Sequence, residues 1–218
     1  MYAVIPVTIV FPNSSIQVNP RRCKCGVTSY YLRERMCFIV LDIEELKELG
    51  KGSGFTHVAA LDCSTIKLLP DVRQMCASNT CHMYGKNWHC PPGCGTLEEC
   101  EARIRSYSRG ILVQTVGELE DSMDGEGMIE TEKAHKEHFF ELEEKLRSKY
   151  PRMLPIGSGA CTRCASCTYP DAPCRFPDKT FASMEAYGML VTQVCQDNDL
   201  PYYYGPCTIA YTSCFLLE

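Results

Sequence analysis

A run of three cysteines, with two residues between neighbours, constrains this chain more than any other feature. The run reads Cys161-Thr-Arg-Cys164-Ala-Ser-Cys167, and Cys174 follows across the turn-forming segment 168–173. The Cys-x2-Cys-x2-Cys spacing is that of bacterial ferredoxins, in which thiolates hold a cubane iron–sulfur cluster. Thiols this close in sequence suit a shared metal better than three separate disulfides. We therefore predict that Cys161, Cys164, Cys167 and Cys174 hold one 4Fe–4S cluster.

A second group of four cysteines lies earlier in the chain, separated by four, eight and three residues. Its members are Cys76, Cys81, Cys90 and Cys94. Prolines and glycines between them favour the tight turns needed to wrap a metal site. Cys94 also lies just before Thr96, which with Glu99 predicts a capped helix start, and the partial positive charge there stabilises a thiolate. We predict a second cluster here, with zinc as the main alternative, because the x4 and x3 spacings partly fit zinc sites.

The role of Cys94 separates two kinds of first site. With Cys94 the site has four thiolates, whereas the other three thiols alone would leave one iron of a cluster open. His82 and His89 flank these thiols, and either could be a ligand or donate a hydrogen bond to sulfur. We expect both to be exposed loop histidines instead.

The composition excludes several classes of protein. Sixteen cysteines in 218 residues suggest a secreted protein held together by disulfide bonds. A chain this long can be stable without disulfide bonds, however, and its cysteines cluster in metal-ligand spacings. We therefore expect a reducing cytoplasm, where thiolates stay available as ligands, and an anaerobic setting, because air oxidises exposed clusters. The net charge of −5 gives no electrostatic reason to expect a nucleic-acid partner. No apolar run approaches the roughly 18 residues of a membrane span.

Helices and strands are predicted to alternate, which indicates an α/β fold: a compact mixed α/β domain with two cysteine-rich metal loops. Strands are expected at 55–61, 111–116, 201–204 and 208–217. Helices are expected at 42–50, 65–73, 97–110, 128–149 and 184–197. The clearest apolar stripe belongs to the fourth of these helices and consists of Phe139, Leu142, Leu146 and Tyr150.

Residues 1–36 differ from the rest of the chain. We expect them to form an irregular N-terminal extension, with a strand at 3–11, and residues 37–218 to form the cysteine-rich metal-binding domain. Cys23 and Cys25 fit two unrelated thiols better than a ligand pair.

The other cysteines and histidines have simpler explanations. Four cysteines fall on apolar faces or strands and are predicted core residues: Cys100, Cys195, Cys207 and Cys214. His135 and His138 are three residues apart on a helix, which is a spacing that can bind metal. Because no Glu-x-x-His motif accompanies them on a partner helix, we predict a polar or half-buried helix face.

The chain resembles the bacterial and archaeal family of predicted metal-binding proteins filed as domain of unknown function 2284. The resemblance lies in the Tyr-Gly-Lys-Asn-Trp-x-Cys-Pro-Pro core of Cys76–Pro92, in Leu97–Gln114, and in Gly159–Gly188, which contains the ferredoxin-like run. It covers roughly residues 42–218. It implies bound metal without an established reaction, in members found mostly in anaerobes.

These patterns predict an iron–sulfur protein, with one 4Fe–4S cluster or two, that transfers electrons to or from an anaerobic redox enzyme or cofactor system. Its partner would be a redox protein, and no nucleic-acid or membrane partner is expected. Two alternatives stay open. One is a zinc or labile-cluster binding maturation or regulatory protein without turnover, and the other is an enzyme that uses an open cluster iron.

Overall fold

The computed structural model describes the backbone of strands at 7–11, 14–22, 28–31 and 37–39, and residues 42–218 in full. The chain divides into two units, Met1–Asp42 and Ile43–Glu218. The predicted domain boundary after residue 36 stays a prediction. Cys23 and Cys25 lie outside the described residues.

The first unit contains a four-stranded antiparallel sheet in which each strand pairs with its neighbour in sequence. The strands are β1 (Val7–Phe11), β2 (Ser14–Arg22), β3 (Thr28–Tyr31) and β4 (Cys37–Ile39). β1 matches the described part of the strand predicted at 3–11. The other three were not predicted, partly because Pro20, which argues against a strand in a sequence, lies inside β2 and is paired with Tyr30.

The second unit is built on a five-stranded mixed sheet with the order β5-β6-β9-β7-β8. Its strands are β5 (His57–Asp62), β6 (Arg109–Glu118), β7 (Met153–Gly157), β8 (Ala182–Ser183) and β9 (Thr208–Leu217). Neighbours are antiparallel except for β7 and β8. The predicted mixed α/β class is confirmed, as are the strands expected at 55–61, 111–116 and 208–217.

The helices of this unit are α1 (Ile43–Lys51), α2 (Pro70–Ala77), α3 (Leu97–Arg105), α4 (Gly125–Arg147) and α5 (Val191–Gln196). The predicted apolar stripe has three residues in α4 and a fourth, Tyr150, just after it. All four side chains are buried. Phe139 of this stripe stacks on Phe215 of β9, with 4.6 Å between ring centroids. Among the described residues, no helix is both long and apolar enough to cross a membrane.

Alternate residues of β6 face two different helix layers. Thr115 hydrogen-bonds to His135 of α4, which also bonds to Ser213 of β9. Gln114, the preceding residue, instead reaches Cys195 of α5 through its Nε2. Since successive strand residues point to opposite faces, β6 is covered on both sides, which explains its continuous apolar run.

The predicted capping box of α3 is confirmed, but the predicted end of this helix is wrong. Thr96 Oγ1 accepts from the Glu99 amide at 3.2 Å, and the Glu99 carboxylate accepts from the Thr96 amide at 2.9 Å. α3 ends at Arg105, and Gly110 lies in β6. A Cβ at Gly110 would be 2.3 Å from the Phe215 carbonyl oxygen, so this glycine permits close strand approach.

Two helices are displaced from their predicted positions. The helix expected at 65–73 begins at Pro70, because proline suits the first helical turn. The helix expected at 184–197 begins only at Val191. The Ser183 hydroxyl accepts from the Ala186 amide at 3.1 Å, and the Gly188 carbonyl accepts from the Leu69 amide at 2.7 Å, so residues 184–188 form a turn held by the segment before α2.

The strand expected at 201–204 is wrong as well. The Pro201 carbonyl accepts from the Gln114 side chain at 3.0 Å rather than from a neighbouring strand. Tyr204 stacks on His57, with ring centroids 4.9 Å apart. These side-chain contacts hold the segment against the sheet without a ladder of backbone hydrogen bonds.

Most, but not all, of the predicted core residues are buried. Cys100, Cys195 and Cys214 have no exposed surface, as predicted. Cys207 is exposed and has φ of 56° in the turn before β9, so its assignment to the core is wrong. The predicted polar or half-buried helix face is confirmed for His138 and wrong for His135, which is fully buried.

Candidate metal centre

The two cysteine groups lie on two long loops of the second unit. The first loop runs from the end of α2 to the start of α3, and the second runs from β7 to β8. Cys76 is the exception in the first group, since it belongs to the last turn of α2. The carbonyl oxygen of Cys90 accepts from the amide of Cys94 at 3.1 Å, which forms a tight turn. The first loop therefore holds its own shape through backbone contacts.

Three thiols of the first group lie within electrostatic range of one another. Burial raises the pKa of Cys76, and the negative charges of Glu185, Cys90 and Cys81 raise it further. Burial also raises the pKa of Cys90, with the Cys81 thiolate adding to the effect. The Cys76 thiol points to the carbonyl oxygen of Glu185 at 3.8 Å, in the turn after β8.

The fourth member of the first group, Cys94, is buried in the hydrophobic core. It is 6% exposed, and its thiol donates to the Ala186 carbonyl oxygen at 3.6 Å. A hydrogen bond with Cys100 and burial raise the pKa of Cys94, and the Cys90 thiolate raises it further. Cys94 is therefore near Cys90 but more deeply buried than the other three thiols of its group.

The other three cysteines of the second loop lie within electrostatic range of Cys161. Burial raises the pKa of Cys161, and the thiolates of Cys174, Cys164 and Cys167 all add to this rise. All four are half-buried. The amide of Phe176 points to the Cys174 sulfur at 3.5 Å. Such N–H donors to sulfur are among the contacts that tune protein-bound clusters.

The two loops meet through aromatic and polar contacts. Trp88 Nε1 donates to the Ala172 carbonyl oxygen at 3.0 Å, and the Trp88 ring meets the Tyr169 ring edge-on at 4.9 Å. The His89 Nε2 atom lies 4.0 Å from the Cys174 sulfur. His89 is half-buried rather than exposed, contrary to the prediction, whereas His82 is exposed as predicted.

One further interaction across the loops is electrostatic. The Cys167 thiolate of the second loop raises the pKa of Cys90 in the first. Across residues 42–218, however, no three His, Cys, Asp or Glu side chains are placed so that they could hold one metal ion. The arrangement is thus two neighbouring groups of spaced thiols.

Residues 59–217 match the sequence profile of a family described as "Predicted metal-binding protein (DUF2284)". The chain belongs to this family. The predicted resemblance is confirmed, and membership of DUF2284 supports a bound metal in general. All eight candidate ligands fall inside the DUF2284 region. No curated protein and no solved structure matches the chain.

The DUF2284 region also contains two arginines that sequence reasoning missed. Arg73 of α2 donates to the carbonyl oxygens of Gly95 and Ala186, and its Nη1 lies 3.7 Å from the Cys100 sulfur. It therefore joins the first cysteine loop to the turn after β8. The sequence does not indicate this role, because a single arginine on a short helix is most often exposed to solvent.

Arg103 of α3 makes a second link of the same kind. Its Nη1 donates to the Cys94 carbonyl oxygen at 2.9 Å and to the Tyr187 hydroxyl at 3.3 Å. Two cations thus lie beneath the first loop of this DUF2284 protein. Positive charge there favours the anionic forms of nearby sulfur ligands.

Proposed function

We propose that this protein is an iron–sulfur protein that carries electrons to or from an anaerobic redox enzyme or cofactor system. The observation that carries the proposal is the junction of the two cysteine loops, in which the His89 Nε2 atom lies 4.0 Å from the Cys174 sulfur and the charge of the Cys167 thiolate raises the pKa of Cys90. A bound 4Fe–4S cluster accepts and releases electrons at a potential that its surroundings set. Two adjoining sites would give an electron a short path through the protein.

The ligands that we propose are the eight cysteines of the two groups. The second site would use Cys161, Cys164, Cys167 and Cys174, and the first site would use Cys76, Cys81, Cys90 and Cys94. The donor chemistry fits, because thiolates are the usual ligands of such clusters. The Phe176 amide beside Cys174 would orient that sulfur and stabilise its charge.

The sequence spacing of the donors favours a cluster over a single zinc ion at the second site. A structural zinc site usually takes its ligands from two short pairs of cysteines or histidines. Cys161, Cys164 and Cys167 instead form a run of three with two residues between neighbours, which is the spacing of ferredoxin-type clusters.

A reducing and oxygen-poor cytoplasm is the compartment that we propose. The thirteen cysteines within residues 42–218 are all free. In an oxidising compartment, exposed thiols such as those of Cys81 and Cys207 would form disulfides instead of staying available. A redox protein is the expected partner.

The burial of Cys94 favours one alternative function, an enzyme that uses an open cluster iron. Cys94 gives its hydrogen bond to Ala186 in the core, while the other three thiols of its group are more exposed. If Cys94 stays there when metal binds, one iron of the first site would lack a protein thiolate. That iron could act as a Lewis acid towards a substrate.

The electron-transfer proposal is tested by anaerobic purification followed by stepwise reduction and reoxidation, with visible spectra at each step. We expect a brown protein whose absorbance bleaches on reduction and returns on oxidation. A Cys164→Ala variant should lose part of this signal, and Cys207→Ala, at an exposed cysteine outside both groups, should keep it. A colourless protein containing zinc would refute the proposal and support the maturation or regulatory alternative.

A further inference from the structure

A cavity of about 370 Å³ lies beside the junction of the two cysteine loops. Its lining includes Trp88 and Phe181, which are apolar, and Arg103, Arg147 and Tyr187, which are polar. Its volume falls in the range of roughly 300–1,000 Å³ that is usual for small-molecule sites. Most of the exposed surface of the lining is polar, and Trp88 and Phe181 contribute aromatic rings to it.

The charge of this cavity is not balanced within its lining. Arg147 forms an ion pair with Glu143, whose side chain is 6% exposed. Arg103 donates instead to two neutral oxygens, the Cys94 carbonyl and the Tyr187 hydroxyl. Within residues 42–218 it forms no ion pair, although the Tyr187 hydrogen bond and, more weakly, the nearby Glu99 carboxylate raise the pKa of Arg103. Asp178 is the acidic residue of the lining. Arg103 is therefore the cation available to an incoming anion.

The remaining donors of Arg103 suit a carboxylate. Both of its hydrogen bonds are made by Nη1, and a guanidinium has five N–H donors in a planar fork. This fork matches the two oxygens of a carboxylate and binds them more strongly than it binds neutral acceptors.

We propose that this cavity binds a small organic acid, whose carboxylate is held by Arg103 and whose flat apolar body lies against Trp88 and Phe181. The proposal goes beyond electron transfer, because it assigns a small-molecule ligand to the protein. It does not depend on which metal the cysteines hold. A ligand seated here would lie next to both cysteine loops, since Trp88 contacts the second loop and Arg103 contacts the first.

Tryptophan fluorescence reports directly on this cavity, because Trp88 is the one tryptophan in the chain. We would titrate the anaerobically purified full chain with benzoate and follow tryptophan fluorescence, with calorimetry as a second readout. Benzamide, which has nearly the same shape without the charge, is the matched ligand. We expect benzoate to bind at least about ten-fold more tightly, because only benzoate gains charge-assisted hydrogen bonds.

The matched variants are Arg103→Gln and Arg105→Gln. Arg105 lies on the same helix and also donates to two backbone carbonyl oxygens, those of Cys63 and Ile66, but it does not line the cavity. Arg103→Gln should weaken benzoate binding about ten-fold or more, and Arg105→Gln should leave it unchanged. Equal binding of benzoate and benzamide, or equal losses in both variants, would overturn the proposal, as would no benzoate binding at millimolar concentration.

A second variant covers the case in which Arg103→Gln does not fold. Arg147→Gln keeps a hydrogen-bond donor for Glu143 but removes a positive charge from the cavity lining. It should weaken benzoate binding several-fold, and an unchanged affinity would contradict the proposed site. Iron is counted in every sample, so loss of the metal, which bears on electron transfer, is distinguished from loss of the ligand.

Discussion

The Nε2 atom of His89 lies 4.0 Å from the sulfur of Cys174, although 85 residues separate them in the sequence. This contact belongs to a larger junction in which Trp88 bonds to the Ala172 carbonyl and packs against Tyr169. Because this junction joins the two cysteine loops, a substitution in one loop should also alter the packing of the other.

Replacing Trp88 with alanine should open this junction. The change removes one hydrogen bond and an edge-on aromatic pair, and we expect the free energy of unfolding to fall by about 1–3 kcal/mol. Urea unfolding followed by circular dichroism measures the loss. Tyr203→Ala, at an aromatic residue that is 74% exposed, is the control and should change stability little. If both variants unfold alike, the junction does not stabilise the loops.

Cys94 and Cys100 can be separated by paired substitutions. If Cys94 completes the first site, Cys94→Ala should leave an oxygen-sensitive cluster with less iron. Cys100→Ala, at a neighbouring core cysteine that has no exposed surface, should keep the iron content. Iron is counted after anaerobic purification. Full iron in Cys94→Ala would make the first site a three-cysteine site and favour the open-iron enzyme.

Arg73 should matter for stability more than an exposed lysine nearby. It joins Gly95 to Ala186 through their carbonyl oxygens, and hydrogen bonds from a charged group contribute about 1.5–3 kcal/mol each. We expect Arg73→Met to lower the free energy of unfolding by at least about 2 kcal/mol. Lys67→Met, at an exposed position, should be nearly neutral. Denaturant titration compares the two, and equal effects would contradict the assigned role of Arg73.

Buried His135 should make the protein less stable in mild acid. Burial lowers its folded-state pKa to about 3, while the unfolded chain binds the same proton near about 6.5. The stabilising contribution is thus complete above about pH 6.5, and it is lost as pH falls below that value, by about 1.4 kcal/mol per unit. His135→Gln should flatten this slope between about pH 5 and 7, whereas His82→Gln should not. An unchanged slope in His135→Gln would assign the acid sensitivity to other groups.

The sequence predicted those elements that have a strong local signal. The apolar stripe of α4 results from burial against the sheet, so periodicity identified this helix. The capping box of α3 is also local, since Thr96 and Glu99 bond to each other. The run of three cysteines likewise shows itself by spacing alone.

Elements that depend on distant contacts were missed or misplaced. The turn at 184–188 exists because Leu69 bonds to Gly188, and no helix periodicity reports that pairing. The segment at 201–204 is held by the Gln114 side chain instead of by strand pairing. The contact of His89 with Cys174 is of the same kind, because it depends on how two loops pack.

Counting iron and acid-labile sulfide per chain tests the central claim most directly. The count is made on anaerobically purified full-length protein, on Cys164→Ala and on Cys81→Ala, with Cys207→Ala as the control. We predict about four irons and as many sulfides for each occupied site, with a loss in each of the first two variants and none in the control. Stoichiometric zinc without sulfide, or iron that is unchanged in both variants, would contradict the account.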